Sequence, residues 1–130
     1  MAPRCFLAAL LLAATAAHGQ VYRPCESQRN TLELNDCAKI EFDSAEQLLN
    51  QAYRQVLDAM PKQAEDGVDY PAARRLLVQG QRAWVAFRKN DCEAIYKVNE
   101  NGSIRNVRYH GCMTERTLQR IKELKAWNAP

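Results

Sequence analysis

The sequence predicts an all-α protein, a small antiparallel three-helix bundle stapled by two disulfides. Three stretches repeat apolar residues at the three- and four-residue steps of one helix face, and short polar links separate them. No stretch of useful length alternates apolar and polar residues as a half-buried strand does. Four cysteines remain once a predicted leader is removed, an even number typical of disulfides in small exported domains. Three helices joined by short links pack up, down and up.

The leader occupies residues 1–19 and has the pattern of a signal peptide. Arg4 supplies the positive charge, residues 6–14 supply a short apolar run, and Ala17 and Gly19 place small residues beside a cleavage site. The apolar run is shorter than the roughly 20 residues that a membrane span needs, and no later stretch is apolar enough. We therefore expect no membrane span, one domain over residues 20–130, and a periplasmic or secreted protein after cleavage.

The first predicted helix runs from Thr31 to Met60. Asn30 precedes it as an N-cap, and Glu33 follows three residues later in a capping-box pattern. Pro61 stops it, because a proline cannot continue a helix. Its apolar stripe has a period of 3.6 residues. The stripe contains Leu34, Cys37, Ala38, Phe42, Ala45, Leu48, Leu49, Ala52, Val56 and Met60.

The second predicted helix runs from Pro71 to about Val98, with Asp69 as its cap. Its apolar face is predicted to contain Leu77, Gly80, Trp84 and Phe87. We expect Trp84 at the centre of the core, because a tryptophan buries more apolar surface than other side chains, and we expect Gly80 to admit a neighbouring helix. Arg88, one turn after Trp84, should pack its stem on the indole or pair with an acidic residue of the first helix.

Residues 99–111 are predicted to form a loop, and the third helix should run from about Thr114 to Trp127. The loop is basic and aromatic and lies beside Cys112, so a rigid base would present it to a partner. This candidate partner-binding edge contains Arg105, Arg108, Tyr109 and His110. The residues expected in the core of the three helices are Trp84, Phe87, Leu48, Leu49, Leu118 and Ile121.

The mature cysteines are Cys25, Cys37, Cys92 and Cys112. Up-down-up packing places the start of the first helix, the end of the second and the start of the third at one end of the bundle. The last three cysteines then lie at that end, and Cys25 can fold back to reach it. We favour Cys25–Cys37 and Cys92–Cys112, because each closes a local loop without crossing the bundle. Cys37–Cys92 with Cys25–Cys112 is the alternative.

Residue types that carry catalysis are scarce. With His18 in the leader, His110 is the one mature histidine, and the sequence contains no CxxC, HxxxH, CxxCH or glycine-rich phosphate loop. Removing Arg4 takes one of 18 basic residues and none of 15 acidic ones. The net charge of about +2 that results is too small to indicate nucleic acid or an anionic membrane as the partner. We predict no enzyme activity, no metal, no cofactor and a protein partner.

Several spaced residues along the chain form a pattern that resembles a known family. They are Leu34-Asn35-x-Cys37-Ala38, then Leu49-Asn50-x-x-Tyr53, then Gln81-Arg82-Ala83-Trp84-x-x-Phe87-Arg88-x-x-x-Cys92, then Gly102-Ser103, Cys112, Thr117 and Arg120. This pattern resembles the small exported domains of the LprI-type lysozyme-inhibitor family over nearly the whole mature chain. The resemblance implies an all-helical, disulfide-stapled domain with no catalytic residues to carry over.

Three hypotheses about function follow. The first is an exported, non-catalytic binding protein that resembles lysozyme inhibitors and blocks a lysozyme-like muramidase by occluding its cleft. The alternative is an envelope adaptor or stress module that binds peptides or cell-wall fragments without inhibiting lysozyme. The last is a hydrolase that uses Asp or Glu residues, which would need two converging carboxylates in an apolar pocket.

Overall fold

A computed structural model describes residue 25 and residues 30–127, and the predicted signal peptide lies outside these residues. Three helices follow in order, Thr31–Ala59 (α1), Tyr70–Val98 (α2) and Arg105–Lys125 (α3). The described residues form no strand, so the all-α prediction is confirmed. Within that described part, no helix combines the length and the apolar character that crossing a bilayer demands.

The predicted caps start the first two helices. The Asn30 side chain accepts a hydrogen bond from the backbone N–H of Glu33 at 3.0 Å and donates to the Glu33 carboxylate at 2.9 Å. The Asp69 carboxylate accepts from the backbone N–H of Ala72 at 2.8 Å. Each cap satisfies an N–H group that has no partner within its own helix. Both helices therefore begin within one residue of the predicted positions.

The predicted start of α3 is wrong, because the helix begins at Arg105 and not near Thr114. Gly111, the last residue of the predicted loop, lies inside α3. A Cβ atom added at Gly111 would meet nothing within 4 Å, so the glycine is exposed and its neighbours do not depend on it. A glycine in an exposed helix interior costs only about 1 kcal/mol, and residues 105–110 contain no proline to stop the helix.

Helix α3 packs against both α1 and α2. The core between the three helices has two parts. The larger cluster fills the end where α1 stops and α2 starts. It contains Leu49, Ala52, Val56, Met60, Leu77, Ile121 and Leu124. The smaller cluster fills the opposite end and contains Cys92, Cys112 and Met113, with Phe42, Ile95 and Tyr109 packed against it.

Both favoured disulfides are present. Cys25 bonds to Cys37 with 5.9 Å between the Cα atoms, and Cys92 bonds to Cys112 with 5.6 Å. The first disulfide ties Cys25, which precedes α1, to Cys37 in the second turn of α1. The second ties the last third of α2 to the first half of α3. The two disulfides therefore staple the same end of the bundle, as the up-down-up order predicts.

The predicted core face of α2 needs a correction. The buried residues are Leu77, Gln81, Arg88 and Cys92, whereas Phe87 is exposed and Trp84 is only half-buried at the border of the larger cluster. Gly80 is also exposed, and no neighbouring helix lies against it. The predicted stripe is wrong because the prediction assumed a purely apolar face. The buried face includes the Gln81 amide and the Arg88 guanidinium.

Two further core predictions are wrong for a simpler reason. Leu49 and Ile121 are buried, but Leu48 and Leu118 are exposed. Each exposed leucine lies next in sequence to a buried residue. Consecutive helical residues point about 100° apart, so a narrow buried stripe through Leu49 leaves Leu48 on the flank.

Candidate protein-binding surface

The end of the bundle that carries the disulfides also carries a tight connection between α2 and α3. We call residues 98–108 the α2–α3 tip. The backbone N–H of Gly102 donates to the carbonyl of Asn99 at 2.8 Å, and the Asn99 side-chain amide donates to the carbonyl of Ile95 at 2.8 Å. A Cβ atom at Gly102 would lie 3.3 Å from the Asn99 carbonyl oxygen. The turn is therefore compact and closes the last turn of α2.

The α2–α3 tip is braced by contacts with the adjoining parts of α2 and α3. Cys92 is fully buried and its disulfide to Cys112 joins the two helices. The Arg105 guanidinium donates to the Tyr96 hydroxyl at 3.2 Å and to the Gly102 carbonyl at 3.2 Å. The Tyr96 and Tyr109 rings meet edge to face, with centroids 6.3 Å apart. A covalent bond, two hydrogen bonds and an aromatic pair thus hold the tip in one conformation.

The predicted partner-binding edge is helical and mostly occupied by contacts within the chain. Arg105 and Tyr109 contact α2, and the His110 ring lies 6.1 Å from the Phe42 ring on α1. Arg108 is exposed, and among the described residues its side chain has no hydrogen-bond or ion-pair partner. The structure thus brings the four residues to one pole but leaves only Arg108 available for a partner.

His110 is the titratable group most affected by this packing. The pKa of His110 is lowered, first because burial disfavours the charged imidazole and second because the Lys39 ammonium repels it, while Asp43 acts in the opposite direction. The Nδ1 atom of His110 is buried and has no hydrogen-bond partner within the described residues. The ring therefore stays neutral in the folded chain near pH 7 and serves as packing.

The outer surface of the α2–α3 tip combines apolar and basic groups. Val98 is 87% exposed, and Ile104 on the same tip is also exposed. Glu100 is neutralised by Lys97, whose ammonium lies 2.9 Å away. Arg108 then adds a positive charge that no acidic residue of the tip balances. Such a surface is complementary to one that is apolar with a negative centre.

Two residues of the pattern in α2, Trp84 and Arg88, have a structural role inside the bundle. Arg88 is only 3% exposed, and its guanidinium binds the Glu46 carboxylate and the Thr117 hydroxyl, the latter at 2.6 Å. The guanidinium also stacks on the Trp84 ring, 4.8 Å from its centroid. Arg88 thus pairs with an acidic residue of the first helix, one of the two alternatives expected for it, and its guanidinium rather than its stem lies over the indole. The Arg120 guanidinium also lies over the same indole, 5.9 Å from the ring centroid.

Depressions on the bundle differ from a catalytic pocket. A shallow groove of about 410 Å³ between α1 and α2 is lined by Tyr53, Val78, Gln81, Arg82 and Val85. Two neighbouring depressions, of about 340 and 250 Å³, likewise have no Asp or Glu in their lining. The converging carboxylates that the hydrolase hypothesis requires are therefore missing from these three depressions.

Two groups of residues in the described part of the chain have the composition of a metal site. They are Cys25, Cys37 and Glu41, and Asp91, Cys92 and Cys112. The cysteines of both groups are joined in disulfides. A disulfide sulfur lacks the thiolate that binds a metal, so neither group fits a metal ion.

Comparison with known proteins gives a family match over most of the chain. A family model described as lysozyme inhibitor LprI matches residues 24–124. An uncharacterized protein of Rhizobium meliloti (strain 1021) is 34% identical over 122 residues, which cover 89% of this chain and 88% of the relative. No solved structure matches this chain. The matched range includes all four disulfide cysteines and nearly all of the three helices.

Proposed function

This chain belongs to the lysozyme inhibitor LprI family, and from that premise we propose that it is a non-catalytic protein that blocks a muramidase by direct contact. The family match over residues 24–124 is the observation that carries the proposal. The two disulfides, together with the family, indicate an extracytoplasmic protein. We propose that residues 1–19 are removed on export and that the remaining chain acts in the periplasm or outside the cell.

The α2–α3 tip is the surface that we propose for this contact. A muramidase cuts its glycan in a cleft with a pair of carboxylates flanking the bond. A tip at the end of the bundle can enter such a cleft, whereas the shallow groove between α1 and α2 cannot. Val98 and Ile104 would meet the apolar walls, and the Arg108 guanidinium would pair with a carboxylate. Because the tip is braced, little conformational entropy is lost on binding.

Local charge matters here more than net charge. The whole chain has a formal net charge of +3, so it would not be steered toward a basic muramidase over long distances. The proposed contact depends instead on one unpaired guanidinium reaching an acidic centre. We therefore expect the inhibition to be weakened by replacement of Arg108 much more than by replacement of other exposed arginines.

The test is a titration of cell-wall hydrolysis by several muramidase types with the purified, oxidised chain. We expect stoichiometric inhibition of at least one type. Arg108→Glu and Val98→Asp should each raise the inhibition constant by about tenfold or more, as loss of a central interface residue does. Arg54→Glu is the matched control, because Arg54 is an exposed arginine on α1 with no ion-pair partner among the described residues.

Unchanged hydrolysis by every muramidase tested, at a large molar excess of the chain, would overturn the inhibitor proposal. Inhibition that Arg108→Glu and Arg54→Glu weaken equally would keep the inhibitor but reject the α2–α3 tip as its contact surface. Recovery of a resident envelope protein with the chain, in the absence of inhibition, would favour the adaptor alternative.

A further inference from the structure

Helix α2 exposes an apolar stripe that neither the bundle nor the proposed muramidase contact uses. We call Leu76, Gly80, Ala83 and Phe87 the α2 outer stripe. Leu76 is 66% exposed and Phe87 is 55% exposed. At 100° per residue the four residues fall within an arc of about 60°. The stripe is therefore a continuous ridge along the outside of α2, about 16 Å long from Leu76 to Phe87.

On one flank of this ridge the helix has no charged residue, whereas on the other flank the Asp91 carboxylate pairs with Arg116 of α3. The positions from 72 to 94 on the ridge and its uncharged flank are Ala72, Leu76, Gln79, Gly80, Ala83, Ala86, Phe87, Asn90 and Ala94. Charged residues make up 25% of the whole sequence, and the solvent side of a helix is normally where they concentrate. An apolar ridge with one uncharged flank along about six helical turns is the pattern of a contact surface.

The order of residues in the stripe indicates which partner binds to it. Reading along α2, the stripe is large, small, small, large, with Leu76 and Gly80 separated by the same four steps as Ala83 and Phe87. If a second α2 lies antiparallel across it, Leu76 falls opposite Phe87 of the second copy and Gly80 falls opposite Ala83. Turning the pair by half a revolution reproduces the same contacts, as a twofold symmetric interface requires.

We propose that two copies of this chain associate through antiparallel packing of their α2 outer stripes. A contact with an unrelated protein would not need a stripe that reads the same in both directions. Two basic chains repel each other through charged surfaces, but this apolar ridge and its uncharged flank let them approach without like-charge contacts.

The middle of the stripe is suited to close helix packing. A Cβ atom added at Gly80 would meet nothing within 4 Å, so the space above it is open. Gly80 and Ala83 together form a shallow saddle between two large side chains. Packed helices lie about 8–10 Å apart, depending on the side chains at the contact. Small residues at the crossing point place this pair at the short end, where Leu76 and Phe87 of both copies can interdigitate.

The area of the face determines the affinity that we expect between two copies. From position 72 to 94 the helix is about 33 Å long and about 10 Å wide, a footprint of roughly 330 Å². Specific interfaces bury about 800 Å² per partner, and weak ones bury less. We therefore expect a weak dimer, with a dissociation constant in the micromolar range. In an antiparallel dimer the two α2–α3 tips point to opposite ends, so dimer formation and the proposed muramidase contact do not exclude each other.

The test is sedimentation analysis of the full oxidised chain from about 1 to about 500 µM, a range that covers the expected affinity. We expect the wild type to pass from monomer to dimer within it. Leu76→Glu and Phe87→Lys should each weaken the dimer about a hundredfold, since every dimer loses two buried side chains. Ile40→Lys is the matched control, because Ile40 is 64% exposed on α1, and it should leave the dimer unchanged.

The double variant Leu76→Glu with Phe87→Lys tests the antiparallel register. Within one chain the two new charges are about 16 Å apart, but across the dimer each glutamate faces a lysine. We therefore expect the double variant to dimerise more strongly than either single variant. A wild type that stays monomeric at 500 µM, or a double variant no better than the singles, would overturn the proposal. These outcomes are read without any muramidase and so are independent of the inhibitor proposal.

Discussion

Arg88 shows how one residue can organise the interior of a small bundle. It is a buried cation that lies between aromatic rings, with its guanidinium 4.8 Å from the Trp84 centroid and 5.3 Å from the Phe42 centroid. Its hydrogen-bonding groups bind Glu46 on α1 and Thr117 on α3. A single side chain thus connects all three helices.

Replacing Arg88 should therefore be costly. Arg88→Met keeps most of the apolar stem but removes the charge and strands the Glu46 carboxylate. Breaking a buried pair costs about 3–5 kcal/mol, and because Glu46 is partly exposed and can be rehydrated we expect about 3 kcal/mol. Denaturant unfolding measures this difference in the free energy of unfolding.

The control for Arg88 is its neighbour Lys89, which forms an exposed pair with Glu93 at 3.7 Å. Exposed pairs contribute about 0.2–1 kcal/mol at most. Lys89→Met should therefore change the free energy of unfolding only slightly. Equal losses for Arg88→Met and Lys89→Met would contradict the role assigned to the buried guanidinium.

His110 gives the bundle a pH dependence of a defined sign. Its pKa in the folded chain is below the ordinary value of 6.5, mainly because burial disfavours the imidazolium. The unfolded chain then binds the proton more tightly, so stability is greatest above pH 6.5 and falls as the pH decreases through the folded pKa. We expect His110→Gln to flatten this decrease between pH 7 and 5 in unfolding experiments. A wild-type stability that rises on acidification over that range would contradict the assignment.

At the scale of the helices, the sequence predicted α1 and α2 well because their starts carry local signals. Asn30 with Glu33, and Asp69 with Pro71, specify a cap within four residues of chain. Helix α3 has no such signal, since its N-cap residue Ile104 makes no side-chain hydrogen bond to the helix. Its first two turns are held by the tertiary contacts of Arg105 and Tyr109, which no local pattern reveals.

Gly111 tests the corrected start of α3. If residues 105–125 form one helix, Gly111→Ala should raise the free energy of unfolding by about 1 kcal/mol, because alanine is the better helix former and the added methyl meets nothing within 4 Å. Gly67→Ala is the contrasting variant, since Gly67 has φ +79° and should lose stability. Destabilisation by Gly111→Ala would show that the predicted loop was right.

The face of α2 could not be assigned from apolar spacing alone. Two alternatives lie side by side on this helix, one through Leu76, Gly80 and Phe87 and one through Leu77, Gln81 and Arg88. Hydrophobicity favours the first, but the Cys92–Cys112 disulfide and the Arg88 contacts turn the second inward. The apolar face left outside is the reason that the stripe is available for self-association.

At the scale of the whole molecule, topology and cysteine positions were predictable because up-down-up order leaves few choices. The order brings three helix ends to one pole, and short loop closures favour Cys25–Cys37 and Cys92–Cys112. The sequence did identify Arg105, Arg108, Tyr109 and His110 as residues of that pole. It could not show that packing occupies three of them, since this depends on contacts with α1 and α2.

The two disulfides should contribute unequally to stability. Removing Cys92–Cys112 as a paired alanine variant opens a loop of 20 residues and leaves a gap in the smaller core cluster. On the chain-entropy model we expect a loss of at least about 3 kcal/mol. Removing Cys25–Cys37, a loop of 12 residues with a half-exposed cysteine, should cost less. Calorimetry of both paired variants measures this, and an equal or reversed order would contradict the core role of Cys92.

Hydrogen exchange of the oxidised chain with and without a muramidase tests the central claim most directly. If the braced α2–α3 tip is the binding surface, amides of residues 98–108 should gain protection in the complex, while those near the opposite pole, residues 60–70, should not. Protection confined to other residues, or no change at a muramidase excess, would contradict the claim that this bundle acts by presenting its stapled end to a muramidase.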